Sequence, residues 1–145
     1  MARLTTVPLG AVYLGVAGLV PFLGFAALAV SGFDGGLGTI GLSPRTILSA
    51  YGAVIASFLG GIRWGAAAAR GAGSADYLIA IVPSLVAWAA LAAPAPWDLR
   101  VLGGLVLVWG VVDQDLSRRG LAPVWLPRLR LILSGVAGAA LLVAA

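Results

Sequence analysis

Nine arginines and five aspartates carry all of the formal charge in this chain; Lys, Glu, His and Cys are absent. Asp113 and Asp115 look at first like a carboxylate pair for acid/base work. On a helix, residues two apart do not share a face, so they make a poor dyad. Asp115 and Arg119 stand four apart and are expected to form an ordinary pair at a solvated helix end. Arg63 has the most unusual setting. A long run of small and apolar residues precedes it and Trp64-Gly65-Ala66 follows. A charge at that depth in lipid needs a partner or a path to the headgroups. Asp113 is its natural partner, and a guanidinium can meet a carboxylate through two parallel hydrogen bonds. Arg63, Trp64, Trp109 and Asp113 are therefore expected to line a small polar pocket at one membrane interface. Such a pocket could hold a lipid headgroup, a quinone ring or a partner's helix end. The same pair also suits a topology anchor that specifies the fold.

The missing residue types exclude more than the present ones suggest. Without Cys there is no disulfide, thiolate nucleophile or cysteine-bound iron–sulfur cluster. Without His there is no imidazole base, ordinary haem ligand or zinc site. No catalytic residues, metal site or cofactor are expected. The glycines between positions 32 and 41 do not match a phosphate-binding motif. The arginines are scattered at segment ends rather than arranged as a stripe, so nucleic acid is not an expected partner.

The elements that must position these groups follow from composition. Of 145 residues, 61% are hydrophobic and 10% charged, with a mean hydropathy of +1.08. A soluble domain of this size lacks the interior to hide that much apolar surface. The expected fold is all-α, one integral membrane domain over residues 1–145. It holds about five transmembrane helices near residues 7–30, 44–69, 76–93, 97–116 and 126–145. Arg3 and Ala27-Leu28-Ala29 imitate a cleaved leader. The apolar run over 7–30 is longer than a typical leader core of about 7–15 residues, so a spanning helix is expected.

Pro21 should kink the first span. Ser43 and Pro44 suit the N-cap and first turn of the second. That second span carries two ridges of small residues, Gly52, Ala56 and Gly60 beside Ser49, Ala53, Ser57, Gly61 and Gly65. Repeats of four place each ridge along one helix face, which lets helices approach closely in lipid. It is expected to be the central, helix-packing element. In the fourth span the charge-free stretch 101–112 covers only about 18 Å of a core about 30 Å thick, so residues at both ends must be drawn in. Trp64, Trp97 and Trp125 read as an interfacial aromatic belt, and Trp88 and Trp109 as packing residues deeper in the bundle. Arginine counting sets seven (Arg3, Arg63, Arg70, Arg118, Arg119, Arg128, Arg130) against two (Arg45, Arg100). An N-terminus on the cytoplasmic side, or the matrix side in an organelle, and a C-terminus outside are expected.

Residues 51–65, YGAVIASFLGGIRWG, resemble the signature of the domain-of-unknown-function 3429 (transmembrane protein 69-like) family. Pro8-Leu-Gly10 with Pro21-Phe22, Val82-Pro-Ser-Leu-Val-Ala-Trp88, and Asp113 followed by Pro123-Val-Trp125 and Leu129-Arg130 fit as well. The family often has His where this chain has Arg63, and Trp-Tyr where it has Trp125-Leu126. The resemblance implies a multi-span protein of bacterial or mitochondrial inner membranes and no particular activity. The leading expectation is a non-enzymatic accessory or assembly subunit beside a larger membrane-protein complex. A lipid- or quinone-binding carrier and a self-associating channel or transporter are the alternatives.

Overall fold

The computed structural model describes residues 6–33, 35–39 and 41–145. Arg3, one of the seven arginines counted on the N-terminal side, lies outside them. The described elements are α1 (Leu9–Ala17), α2 (Leu19–Val30), α3 (Pro44–Arg70), α4 (Ser74–Leu91), α5 (Trp97–Val112), α6 (Gln114–Arg118) and α7 (Trp125–Val143). No strand occurs among them. The chain is an all-α membrane protein. Four stretches are long and apolar enough to cross a bilayer: Leu9–Val30, Pro44–Arg70, Ser74–Leu91 and Trp125–Val143. Helix α5 has 16 residues, about 24 Å at 1.5 Å per residue.

Local chemistry explains the breaks. Pro21 has no N–H to offer the carbonyl of Ala17, and the first rod bends at Gly18 between α1 and α2. The Tyr51 hydroxyl donates to the Gly18 carbonyl at 2.9 Å and pins that bend to α3. Ser43 caps α3, its Oγ accepting from the Thr46 N–H at 3.1 Å, and Gly71 ends it in the left-handed region.

Contacts at the two ends of the bundle fix the strand of directions. Arg63, near the end of α3, meets Asp76 at the start of α4. At the other end Arg45, at the start of α3, pairs with Asp98 at the start of α5 and donates to the Ala144 carbonyl just past α7 at 2.8 Å. Val30 and Val143 line one surface crevice. Thus α3 and α5 point one way, and α1–α2, α4 and α7 the other.

The apolar core draws on α2, α3, α4, α5 and α7, with Phe22, Leu48, Ala56, Ala87, Leu102 and Leu141 among its residues. Large apolar side chains also cover the outside, including Val54, Leu85, Val108 and Ile132. An exposed apolar surface this extensive suits lipid rather than water. Trp88 belongs to that outer surface, 74% exposed, and not to the packed interior expected for it.

The small-residue ridges of α3 divide. Gly52 packs on Leu141 and Leu102. Gly60 lies so close to α4 that a Cβ there would sit 2.2 Å from the Ala80 carbonyl oxygen and 3.3 Å from Pro83 Cγ. Ala56 is fully buried. The second ridge starts buried at Ser49 and Ala53 but emerges by Gly61 and Gly65, where a Cβ would meet nothing within 4 Å. The expected single packing face is therefore corrected. Four residues turn an α-helix by about 400°, so a four-residue ridge drifts about 40° per step and leaves the interface after a few turns. Ser57, midway, bonds the Ala53 carbonyl of its own helix at 3.0 Å.

Candidate functional site

The chain's buried charge collects where α3 ends, α4 begins, α5 passes into α6, and α7 begins. Arg63 is its centre and is 1% exposed. Its Nη1 donates to Asp113 Oδ1 at 3.3 Å and Asp115 Oδ1 at 2.9 Å; its Nη2 donates to Asp76 Oδ1 and Asp115 Oδ2, both at 3.1 Å. Asp115 thus receives the guanidinium as a two-pronged fork. Asp76 is gripped from its other side by Arg119, with both bonds at 2.6 Å. Asp113, wholly buried, has Arg130 Nη1 at 2.5 Å from its Oδ2. That approach is close but misaligned, so neither atom makes a hydrogen bond through it.

Three aspartates (76, 113, 115) thus face three arginines (63, 119, 130), and the cluster is formally neutral. Charges inside a low-dielectric bundle are tolerable only when so paired and hydrogen-bonded. At the rim, the hydrogen bond from Arg63 holds the Asp115 carboxyl below the usual carboxylate range. The bond to Asp76 raises the Arg119 guanidinium further above its ordinary value.

Arg63 and Asp113 come together, while Trp64 and Trp109 stand apart from the polar groups. Trp64 faces outward, 48% exposed, and meets Tyr77 edge-on with centroids 4.9 Å apart. It follows Arg63 directly, and neighbours on a helix point about 100° apart. Trp109 is buried among apolar residues of the core. Asp115 is not simply the solvated i,i+4 partner of Arg119, which it meets only at 3.5 Å. The helix is interrupted at Asp113, between α5 and α6. That interruption lets two aspartates two residues apart face one guanidinium, which an unbroken helix forbids. Gln114 steadies the junction by donating to the Gly110 and Pro127 carbonyls at 2.8 Å each, tying α5 to α7.

Asp76, Asp115, Arg119 and Arg130 were not among the expected pocket residues. Their common signal was topological: each lies at a segment end that alternating rods bring to one side. Arg130 is the least expected. It is 4% exposed, and its Nε, Nη1 and Nη2 have no hydrogen-bond acceptor among the described residues.

The family model "Protein of unknown function (DUF3429)" matches residues 7–145. The chain belongs to this family. It is 34% identical over 140 residues to transmembrane protein 69 of Xenopus tropicalis, covering 90% of this chain and 51% of the relative. This DUF3429 chain therefore spans about half the length of the curated relative it matches. No solved structure matches it.

Proposed function

We propose that this DUF3429 chain is a non-enzymatic accessory or assembly subunit of a larger complex in a bacterial inner membrane, or the mitochondrial inner membrane of a eukaryote, with its N-terminus on the cytoplasmic or matrix side. The observation that carries the reading is the groove between α3 and α4. It encloses about 410 Å³, with Ser57, Gly61, Ala80 and Ser84 among its lining residues and Trp64 and Leu85 beside them. Small residues facing lipid let a foreign helix approach closely, and in a membrane that packing is a main source of association. The charges support the same reading, since Arg63 and its carboxylates are spent on one another and hold helix ends together. The arginine-rich end of the bundle supports the orientation.

Purification in mild detergent tests it. The wild-type chain is expected to bring down a defined membrane partner. A Gly61→Leu variant, which fills the groove without touching the core, is expected to lose that partner while its thermal midpoint stays put. A wild-type chain that always purifies alone would refute the accessory role. A second reading, a carrier for a lipid or quinone, is favoured by a different feature, the unsatisfied Arg130.

A further inference from the structure

A crevice of about 370 Å³ opens between the kinked α1–α2 rod, α3 and α7, and its lining includes Arg130. Small-molecule sites run from about 300 to 1,000 Å³, so this one has room for a ring or a single chain but not a whole two-tailed lipid. Leu19, Phe22, Ile55, Leu59 and Leu133 give it apolar walls. Beside the Ser134 hydroxyl, two polar side chains interrupt them on α7. One is the Arg130 guanidinium. The other is the Trp125 indole, whose Nε1 is also buried without an acceptor among the described residues. Buried donors in folded proteins almost always find acceptors, because leaving one unpaired forfeits its hydration with nothing in return. Both residues line the same crevice.

The kind of acceptor follows from the charge balance. Asp113 already sits against Arg130, and the cluster holds three positive and three negative groups. An anion in the crevice would add an uncompensated buried charge. A neutral carbonyl would satisfy the free N–H groups without one. We infer that the α1–α2/α3/α7 crevice binds a neutral, apolar molecule through a carbonyl oxygen that accepts from Arg130 and Trp125, with its hydrocarbon along the apolar walls. Quinone rings and the ester groups of membrane lipids both carry this chemistry. The inference rests on the second reading above and is independent of any partner at the α3–α4 groove. The loose first rod suits entry from the bilayer: α1 buries none of its residues.

The test uses the full chain in nanodiscs of ether-linked phosphatidylcholine, which supply no ester carbonyl. Decyl-benzoquinone is titrated against tryptophan fluorescence, with decanoate as the anionic comparison. In parallel, native mass spectrometry follows lipid retained from ester-linked phosphatidylcholine, of which the crevice could admit one acyl chain and its ester. Saturable quenching by the quinone identifies a quinone-type ligand, and retention confined to ester lipid identifies the lipid ester. Either supports the site if two variants weaken it about tenfold, the scale of one lost hydrogen bond to a charged donor. Arg130→Met removes the donors. Ala11→Phe fills the crevice from the α1 side, away from the ion cluster, and keeps the test decisive if Arg130→Met does not fold. Binding of neither neutral ligand, tighter binding of decanoate, or unchanged binding in Ala11→Phe would overturn the assignment. Loss of a co-purifying partner in Gly61→Leu bears only on the accessory role.

Discussion

Asp113 is the residue on which the buried cluster turns, because two guanidiniums approach it and no solvent reaches it. An Asp113→Asn variant leaves Arg130 buried with no counter-charge among the described residues. Breaking a buried pair from one side costs about 3–5 kcal/mol, and this variant should show it as a large drop in thermal midpoint in detergent. Asp115→Asn should cost less, since Asp115 is 39% exposed and water can replace part of what is lost. Asp115 also predicts a pH effect. Its folded pKa is depressed by Arg63, so the stability it contributes is complete above the unfolded carboxylate value of about 3.9 and is lost as pH falls through the lower folded value. Thermal midpoints of the wild type should decline through that acid range, and Asp115→Asn should flatten part of the decline. An equal decline in both would remove Asp115 as a cause. Neighbours along the chain pointed to Arg63 and Asp113. Arg130 has apolar flanks too, in Leu129 and Leu131, but with Arg128 it stands near the start of the last span and reads as one more segment-end arginine.

Among the elements, α3 does most of the packing, and its two ridges behave differently. Gly60→Ala puts a methyl group against the Ala80 backbone oxygen, which cannot move aside as a side-chain tip can. The variant should lose about 1–3 kcal/mol through forced separation of α3 and α4. Gly61→Ala, one residue on, meets open space and should leave the thermal midpoint within error. Equal effects of the two would contradict this packing. Tyr51→Phe removes the hydroxyl that holds the bend at Gly18 and should cost about 1 kcal/mol, seen as faster proteolysis of the first rod. The kink itself was legible in Pro21, because a missing N–H is a covalent fact. Which of the small residues stay buried was not, because helical drift compounds over turns and the positions of the neighbouring helices decide where it matters.

At the scale of the molecule, alternating rods place the start of α1 and the end of α7 at opposite ends of the bundle. Tags on the two termini should therefore label from opposite faces of sealed vesicles, and labelling of both from one face would disprove the alternation. The ion cluster belongs to this scale too. It links α3, α4, α6, α7 and the turn after α5 through residues as far apart in sequence as Arg63 and Arg130.

Composition alone determined the solvent: too much apolar surface and too few charges for any interior this chain could build. Hydropathy and Pro21 determined the rods and the break in the first of them, since both act within a turn or two of backbone, whereas the break at Asp113 inside the expected 97–116 span had no such local mark. The meeting of five charged groups around Arg63, the outward turn of Trp88, and the burial of Arg130 without an acceptor among the described residues were decided only by the tertiary structure. Ion pairs depend on distances of a few ångströms between segments far apart in sequence. Small changes in helix rotation, invisible to any local pattern, choose among the possible partners.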